Sequence, residues 1–153
     1  MQWNNKYIYP KSTRSIFQGS RHYSVNQENL PSVTTILKAT ESDEKKAKLE
    51  EWKKRVGYKQ AEVISREATS RGSSMHDYLE KFLLGKLNMD LLGDNTREKM
   101  MADQIIENGL RDKLSEIWGC EATLYYPGKY AGAADCIGIY ENKETIIDFK
   151  QSN

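Results

Sequence analysis

Apolar positions fall into two periodicities along this chain. Ser42 is placed to cap a helix, with Asp43 and Glu44 in its first turn facing the positive end of the helix dipole. Leu49, Trp52 and Val56 follow at helical spacing, and Gly57 supplies a stop. A second helical stretch is predicted from about Lys59 to Thr69, broken by Arg71-Gly72-Ser73. Ser74 with Asp77 three residues later forms a capping-box pattern for a third helix over Met75 to Leu84, ended by Gly85. Its core stripe is Met75, Leu79, Phe82 and Leu83. A longer helix is predicted over Thr96 to Trp118, with Met101, Ile105, Leu114 and Ile117 inward, although Gly109 sits inside it.

From Cys120 the periodicity changes. Glu121–Tyr126, Tyr130–Tyr140 and Glu144–Gln151 read as three strands, with turns at Pro127-Gly128 and 141–144. The first 27 residues mix Tyr7, Ile8, Tyr9, Ile16, Phe17 and Tyr23 with turn formers, which predicts short strands. Leu30 is held extended because it precedes Pro31. The expected fold class is mixed α+β (α/β): N-terminal strands or arm over 1–40, a helical region over 41–118 and a core meander over 119–153, in one domain.

Composition narrows the class. With 153 residues, 38% hydrophobic and 29% charged, the chain suits one domain with a modest core. No apolar run approaches the ~18 residues of a membrane span, and no signal peptide opens the chain. Cys120 and Cys136 make neither a disulfide framework nor a zinc-type spacing, so a reduced cytoplasmic setting is expected. The net charge is +1, yet residues 1–27 hold Lys6, Lys11, Arg14 and Arg21 and no acid. That basic segment is either a solvated terminus or an arm for a phosphate backbone.

The chemistry concentrates near the end. An acid-x-Lys triplet occurs five times, starting at Asp43, Glu44, Glu51, Glu141 and Asp148. Only Asp148-Phe149-Lys150 follows an apolar run, Ile146-Ile147. If Asn142 and Lys143 form the centre of a hairpin turn, Asp135 lies opposite Lys150. Asp135, Asp148 and Lys150 then share one sheet face, with Ile147 and Phe149 on the other. Two carboxylates brought so close need a cation. Lys150 is one, and a hard divalent ion such as Mg²⁺ is another. His76 lies one turn before Glu80 and could deliver an imidazole to the same place; a solvent-facing His–Glu pair is the other reading. A plain cross-strand salt bridge likewise accounts for the strand residues.

In order, "LPSVTTIL" (Leu30–Leu37), "LEEWKKRVG" (Leu49–Gly57), "RGSSMHDYLE" (Arg71–Glu80), "YAGAADCIGIY" (Tyr130–Tyr140) and "IIDFKQ" (Ile146–Gln151) resemble the PD-(D/E)XK nuclease superfamily. The resemblance is to its RecB-type exonuclease branch, the group of mitochondrial genome maintenance exonucleases and related phage exonucleases. It implies a restriction-endonuclease-like core and a Mg²⁺- or Mn²⁺-dependent exonuclease acting on DNA, preferring single-stranded ends. His76, Asp135 and Asp148 would hold metal, with the Phe149 carbonyl beside them. Lys150 would be the catalytic lysine and Gln151 a substrate contact. Glu121 lies near a glutamate of many relatives, and Ser32 and Thr34 are weaker candidates for lining a strand channel.

Two departures qualify the resemblance. Two cysteines in other places predict no iron–sulfur cluster. The family fold continues with a helix and strand after the D-x-K strand, so a truncated chain is expected, its edge covered by self-association or a second polypeptide. Binding to a membrane is not expected, and a bacterial or phage-infected cytoplasm fits better than a mitochondrion. The alternative from another class is a catalytically inactive nucleic-acid-binding or assembly module, contacting a strand through Trp3, Tyr7 and Tyr9.

Overall fold

A computed structural model describes residues 1–86 and 96–151. The described elements run β1 (Gln2–Trp3), β2 (Ser12–Phe17), β3 (Ser20–Val25), β4 (Glu28–Pro31), α1 (Val33–Ala39), α2 (Asp43–Val56), α3 (Tyr58–Leu83), α4 (Arg97–Ile105), a π-helical turn (Ile106–Leu110), β5 (Leu114–Tyr126), β6 (Tyr130–Tyr140) and β7 (Lys143–Ile147). The fold is mixed α+β, with a sheet of order β1-β5-β6-β7 and a second of order β2-β3-β4. The chain forms two compact units, one of residues 1–9, 69–122 and 133–153, the other of 10–68 and 123–132.

The first unit is built on the mixed sheet. β1 pairs parallel with β5, placing Gln2 beside Glu116 and Trp3 beside Ile117. Successive strand residues face opposite sides. Ile117 and Cys136 therefore join Met75, Leu79 and Leu83 of α3, with Ala102, Ile106, Leu110, Leu114 and Phe149, in the main core. Their neighbours Trp118 and Ile137 pack on the other side with Ala122, Tyr9, Ala134 and Ile139. Gly138 allows the strands to approach: a Cβ there would stand 2.0 Å from the Glu116 carbonyl oxygen.

Three expectations are corrected here. The break at Arg71-Gly72-Ser73 does not occur, because α3 runs unbroken through it. A lone glycine costs a helix only about 1 kcal/mol, and Gly72 has a packing role described below. The helix expected over 96–118 ends at Leu110, and β5 begins at Leu114. Asp112 adopts a left-handed φ of 64° and reverses the chain. Leu114 and Ile117 fit a helical spacing, but both are buried from a strand. The β6–β7 hairpin also turns earlier than expected. Glu141 and Asn142 both have positive φ (46° and 64°), the signature of a two-residue type I′ turn. Tyr140 therefore faces Lys143 and Cys136 faces Ile147. Asp135 is not set opposite Lys150. The shift is of two residues, so the side chains of Lys143–Ile147 keep their faces, but the strand expected over Glu144–Gln151 ends at Ile147, before Asp148 and Lys150.

In the second unit β2, β3 and β4 form an antiparallel meander. Gln18-Gly19 and Asn26-Gln27 make its turns with positive φ throughout. Tyr23, Val25 and Leu30 pack with Ala131 and Tyr125. Ser32 caps α1 by accepting from the Thr35 N–H at 3.0 Å, and Ser42 caps α2 from Lys45 at 3.3 Å. α2 buries no residue. Among the described residues no helix is long and apolar enough to cross a membrane.

Candidate functional site

His76 is presented by α3. Its neighbour Met75 is fully buried in the main core, which fixes the rotation of the helix and turns His76 to the flank. Asp135 is presented by β6, one residue before the buried Cys136, and its side chain is only 12% exposed. His76 Nδ1 and Asp135 Oδ1 lie 3.5 Å apart. The other carboxylate oxygen, Oδ2, accepts the Phe149 backbone N–H at 2.7 Å. Phe149 itself is buried, and its ring meets the His76 ring edge-on at 6.2 Å. One carboxylate thus ties helix α3 to the segment that carries Asp148 and Lys150.

Glu121 completes the cluster. It sits inside β5 with a φ of 49°, a left-handed conformation unusual for a non-glycine residue in a strand. Burial alternation slips there, with Ala122 and Thr123 buried in succession. A local disruption of this kind re-aims a strand side chain. His76, Glu121 and Asp135 each offer a ligand atom within 4.8 Å of the others.

The electrostatics follow from this geometry. The contact with Asp135 raises the His76 pKa above its ordinary 6.5, against the opposing effect of burial, with the Asp135 and Glu121 charges adding to the rise. Burial alone would push Asp135 up. The hydrogen bonds from His76 and Phe149, with the charges of His76 and Lys150, outweigh it and hold the carboxyl below 3.8. Both thiols go the other way. Burial, reinforced by neighbouring charge, pushes Cys120 and Cys136 up to about 12.

Asp148 and Lys150 lie beyond the end of β7 and pair with each other at 3.0 Å, with side chains 60% and 81% exposed. The cluster of ligand atoms comprises His76, Glu121 and Asp135, and Asp148 is not part of it. Gln151 rests against α3 at Gly72, where an added Cβ would meet its Nε2 at 2.9 Å. Ser32 is buried, hydrogen-bonded to Thr34 and Thr35 hydroxyls at 2.8 and 2.9 Å. The aromatic residues near the N-terminus contact the framework, with Trp3 and Tyr7 themselves exposed. Trp3 Nε1 donates to the Leu83 carbonyl at 2.8 Å, and Tyr7 meets Trp118 edge-on at 5.8 Å. Lys6 lies 4.1 Å over the Trp118 ring and bonds Glu144 at 3.3 Å.

Fold and cluster together define an α+β chain with an imidazole and two carboxylates gathered where a mixed sheet meets a helix. That donor set, one nitrogen and two carboxylates with further oxygens within reach of the same segment, fits a divalent cation. No family model matches the chain. It is 30% identical over 133 residues to Mitochondrial genome maintenance exonuclease 1 of Mus musculus, covering 84% of this chain and 38% of that protein. It is 27% identical over 128 residues to the protein of the same name from Homo sapiens (80% and 37%) and 30% identical over 131 residues to that of Xenopus tropicalis (80% and 36%). The chain is therefore related in sequence to proteins named as exonucleases, and it spans well under half of their length.

Proposed function

We propose that this chain is the catalytic region of a metal-dependent deoxyribonuclease of the PD-(D/E)XK type, in the RecB-like branch, working from single-stranded DNA ends. The observation that carries the reading is the hydrogen bond from Phe149 N–H to Asp135, because it links the D-x-K segment to the His76–Glu121–Asp135 cluster. The related proteins, all named as exonucleases, support the reaction class.

In this reading His76, Glu121 and Asp135 hold a Mg²⁺ or Mn²⁺ ion, with Asp148 on the adjoining segment as a further carboxylate. Bound there, the ion supplies a water of lowered pKa and a clamp on a phosphoryl oxygen. Besides offering a ligand oxygen, Asp135 makes a contact through each of its oxygens: Oδ1 lies beside His76 Nδ1, and Oδ2 fixes the Phe149 backbone. Lys150 is the exposed cation of the segment. Paired with Asp148, it would leave that carboxylate to stabilise charge building on the scissile phosphate or to orient the attacking water. Gln151, seated on Gly72, is placed to contact the strand beside the lysine.

The test is cleavage of end-labelled single- and double-stranded DNA by the purified chain, with Mg²⁺, with Mn²⁺ and with chelator. Shortening that needs the metal and disappears in Lys150→Ala is the expected result. No metal-dependent cleavage, together with no Mn²⁺ binding lost on His76→Ala, would sink the proposal.

A further inference from the structure

The two units differ sharply in charge. The unit of residues 10–68 and 123–132 has thirteen Lys and Arg against eight Asp and Glu, a formal +5. The unit that holds the carboxylate cluster has ten against fourteen, a formal −4. In the basic unit only Lys45, Lys48 and Arg66 are in ion pairs among the described residues. Ten of its thirteen cations therefore stand outside such ion pairs, and the net positive charge attracts a polyanion.

The same unit carries an exposed aromatic pair. Tyr126 ends β5 and Tyr130 begins β6, one on each side of the turn that holds Lys129. Their ring centroids are 6.1 Å apart, with planes inclined by 30°. The two residues are 58% and 43% exposed. The residues next to them face the other way, with Tyr125 and Ala131 in the small core. The hairpin tip is braced from below. Asn26 Nδ2 donates to the Tyr125 hydroxyl at 2.6 Å, and Gly128 N–H donates to Glu28 Oε1 at 2.9 Å. A cross-strand tyrosine pair needs no more than its own packing to help a hairpin. This one is held on a braced tip, leaves side-chain surface to solvent and stands in a unit of net positive charge.

We infer that the tip of the β5–β6 hairpin is a stacking platform for single-stranded nucleic acid. Tyr126 and Tyr130 take unpaired bases on their rings, and Lys129 with other cations of this net-positive unit takes phosphates. A duplex keeps its base faces stacked on one another and offers these rings nothing comparable. An acidic protein would use the charge but not the rings. The inference rests on the nuclease reading for the class of partner, and it assigns the binding surface for that partner.

The test is fluorescence anisotropy of a labelled oligothymidylate with the whole chain in chelator, so that no cleavage intrudes. Tyr126→Ala and Tyr130→Ala are each expected to weaken binding by about fivefold or more. Tyr126→Phe and Tyr130→Phe keep the rings and should bind like the parent. Lys129→Ala should reduce the salt dependence by about one phosphate contact. Circular dichroism melts of every variant separate lost binding from lost folding. Alanine variants that stay folded and bind like the parent, phenylalanine variants that lose as much as alanine, or equal affinity for duplex would overturn the inference. Cleavage assayed at saturating DNA reads the metal cluster separately. Loss of cleavage with ring-dependent binding intact removes the catalytic reading alone. Cleavage with ring-independent binding removes the platform alone.

Discussion

Asp135 shows how one partly buried carboxylate can organise several elements. It is kept ionised although burial opposes this, because a backbone N–H and an imidazole both favour the charged form. Asp135→Asn removes that charge, so the His76 pKa should fall back towards its ordinary value, as a proton NMR titration of the ring would show. Linkage gives the stability profile of the metal-free chain. His76 has a raised pKa, so its contribution is complete below about 6.5 and is lost as pH rises through the folded value. Asp135 has a lowered one, so its contribution is present above about 3.8 and is lost as pH falls through the folded value. Urea midpoints across the acidic and neutral range should peak between the two, and His76→Gln should flatten the alkaline side. Ion binding runs opposite to the proton on His76, so Mn²⁺ affinity should increase with pH across the same step. Gly138 is a residue-scale constraint of another kind. Gly138→Ala drives a Cβ onto a backbone carbonyl and should cost about 3 kcal/mol or more in chemical denaturation.

Turns and helices set where these residues arrive. The β6–β7 turn uses Glu141 and Asn142 where a type I′ turn favours Asn and Gly. Replacing the pair by Asn-Gly should stabilise the chain by about 0.5–1 kcal/mol without moving the register, seen as a raised urea midpoint with an unchanged slope. Helix α3 is continuous through Gly72, and the amide end of Gln151 fills the space a Cβ would take. Gly72→Ala should therefore keep or raise thermal stability, since alanine favours the helix by about 1 kcal/mol. If Gln151 contacts the DNA strand, the same substitution should lower cleavage as much as Gln151→Ala does, and the two together should lower it no further.

Across the whole molecule, the exposed pair at the end of the D-x-K segment and the apolar core answer to different measurements. The Asp148–Lys150 pair is exposed and worth less than about 1 kcal/mol to folding. Lys150→Ala should leave the melting temperature within a degree or two while abolishing metal-dependent cleavage. Substitutions of Met75, Leu79 or Leu83 should do the reverse at first, lowering stability by about 2–5 kcal/mol for Leu→Ala while sparing the polar groups themselves. The two units also differ in net charge, formally −4 for the one with the carboxylate cluster and +5 for the other.

The amino-acid order by itself determined the local pieces. Apolar spacing marked Met75, Leu79 and Leu83 as a buried stripe, Ser42 announced a helix start, and the change of period at Cys120 announced strands. Of the residues singled out from their local settings, His76 and Asp135 are brought together, while Asp148 and Lys150 pair with each other outside the ligand cluster. Tertiary structure alone decided three further things. Leu114 and Ile117 became strand residues because a spacing of three suits a helix face or a strand of uneven burial, and only packing chooses. The hairpin register depended on which two residues could accept positive φ, a backbone property that Glu141 does not advertise. Glu121 joined His76 and Asp135 because a left-handed residue inside β5 re-aimed it, and no local pattern encodes where three distant segments will bring their donors to within 4.8 Å.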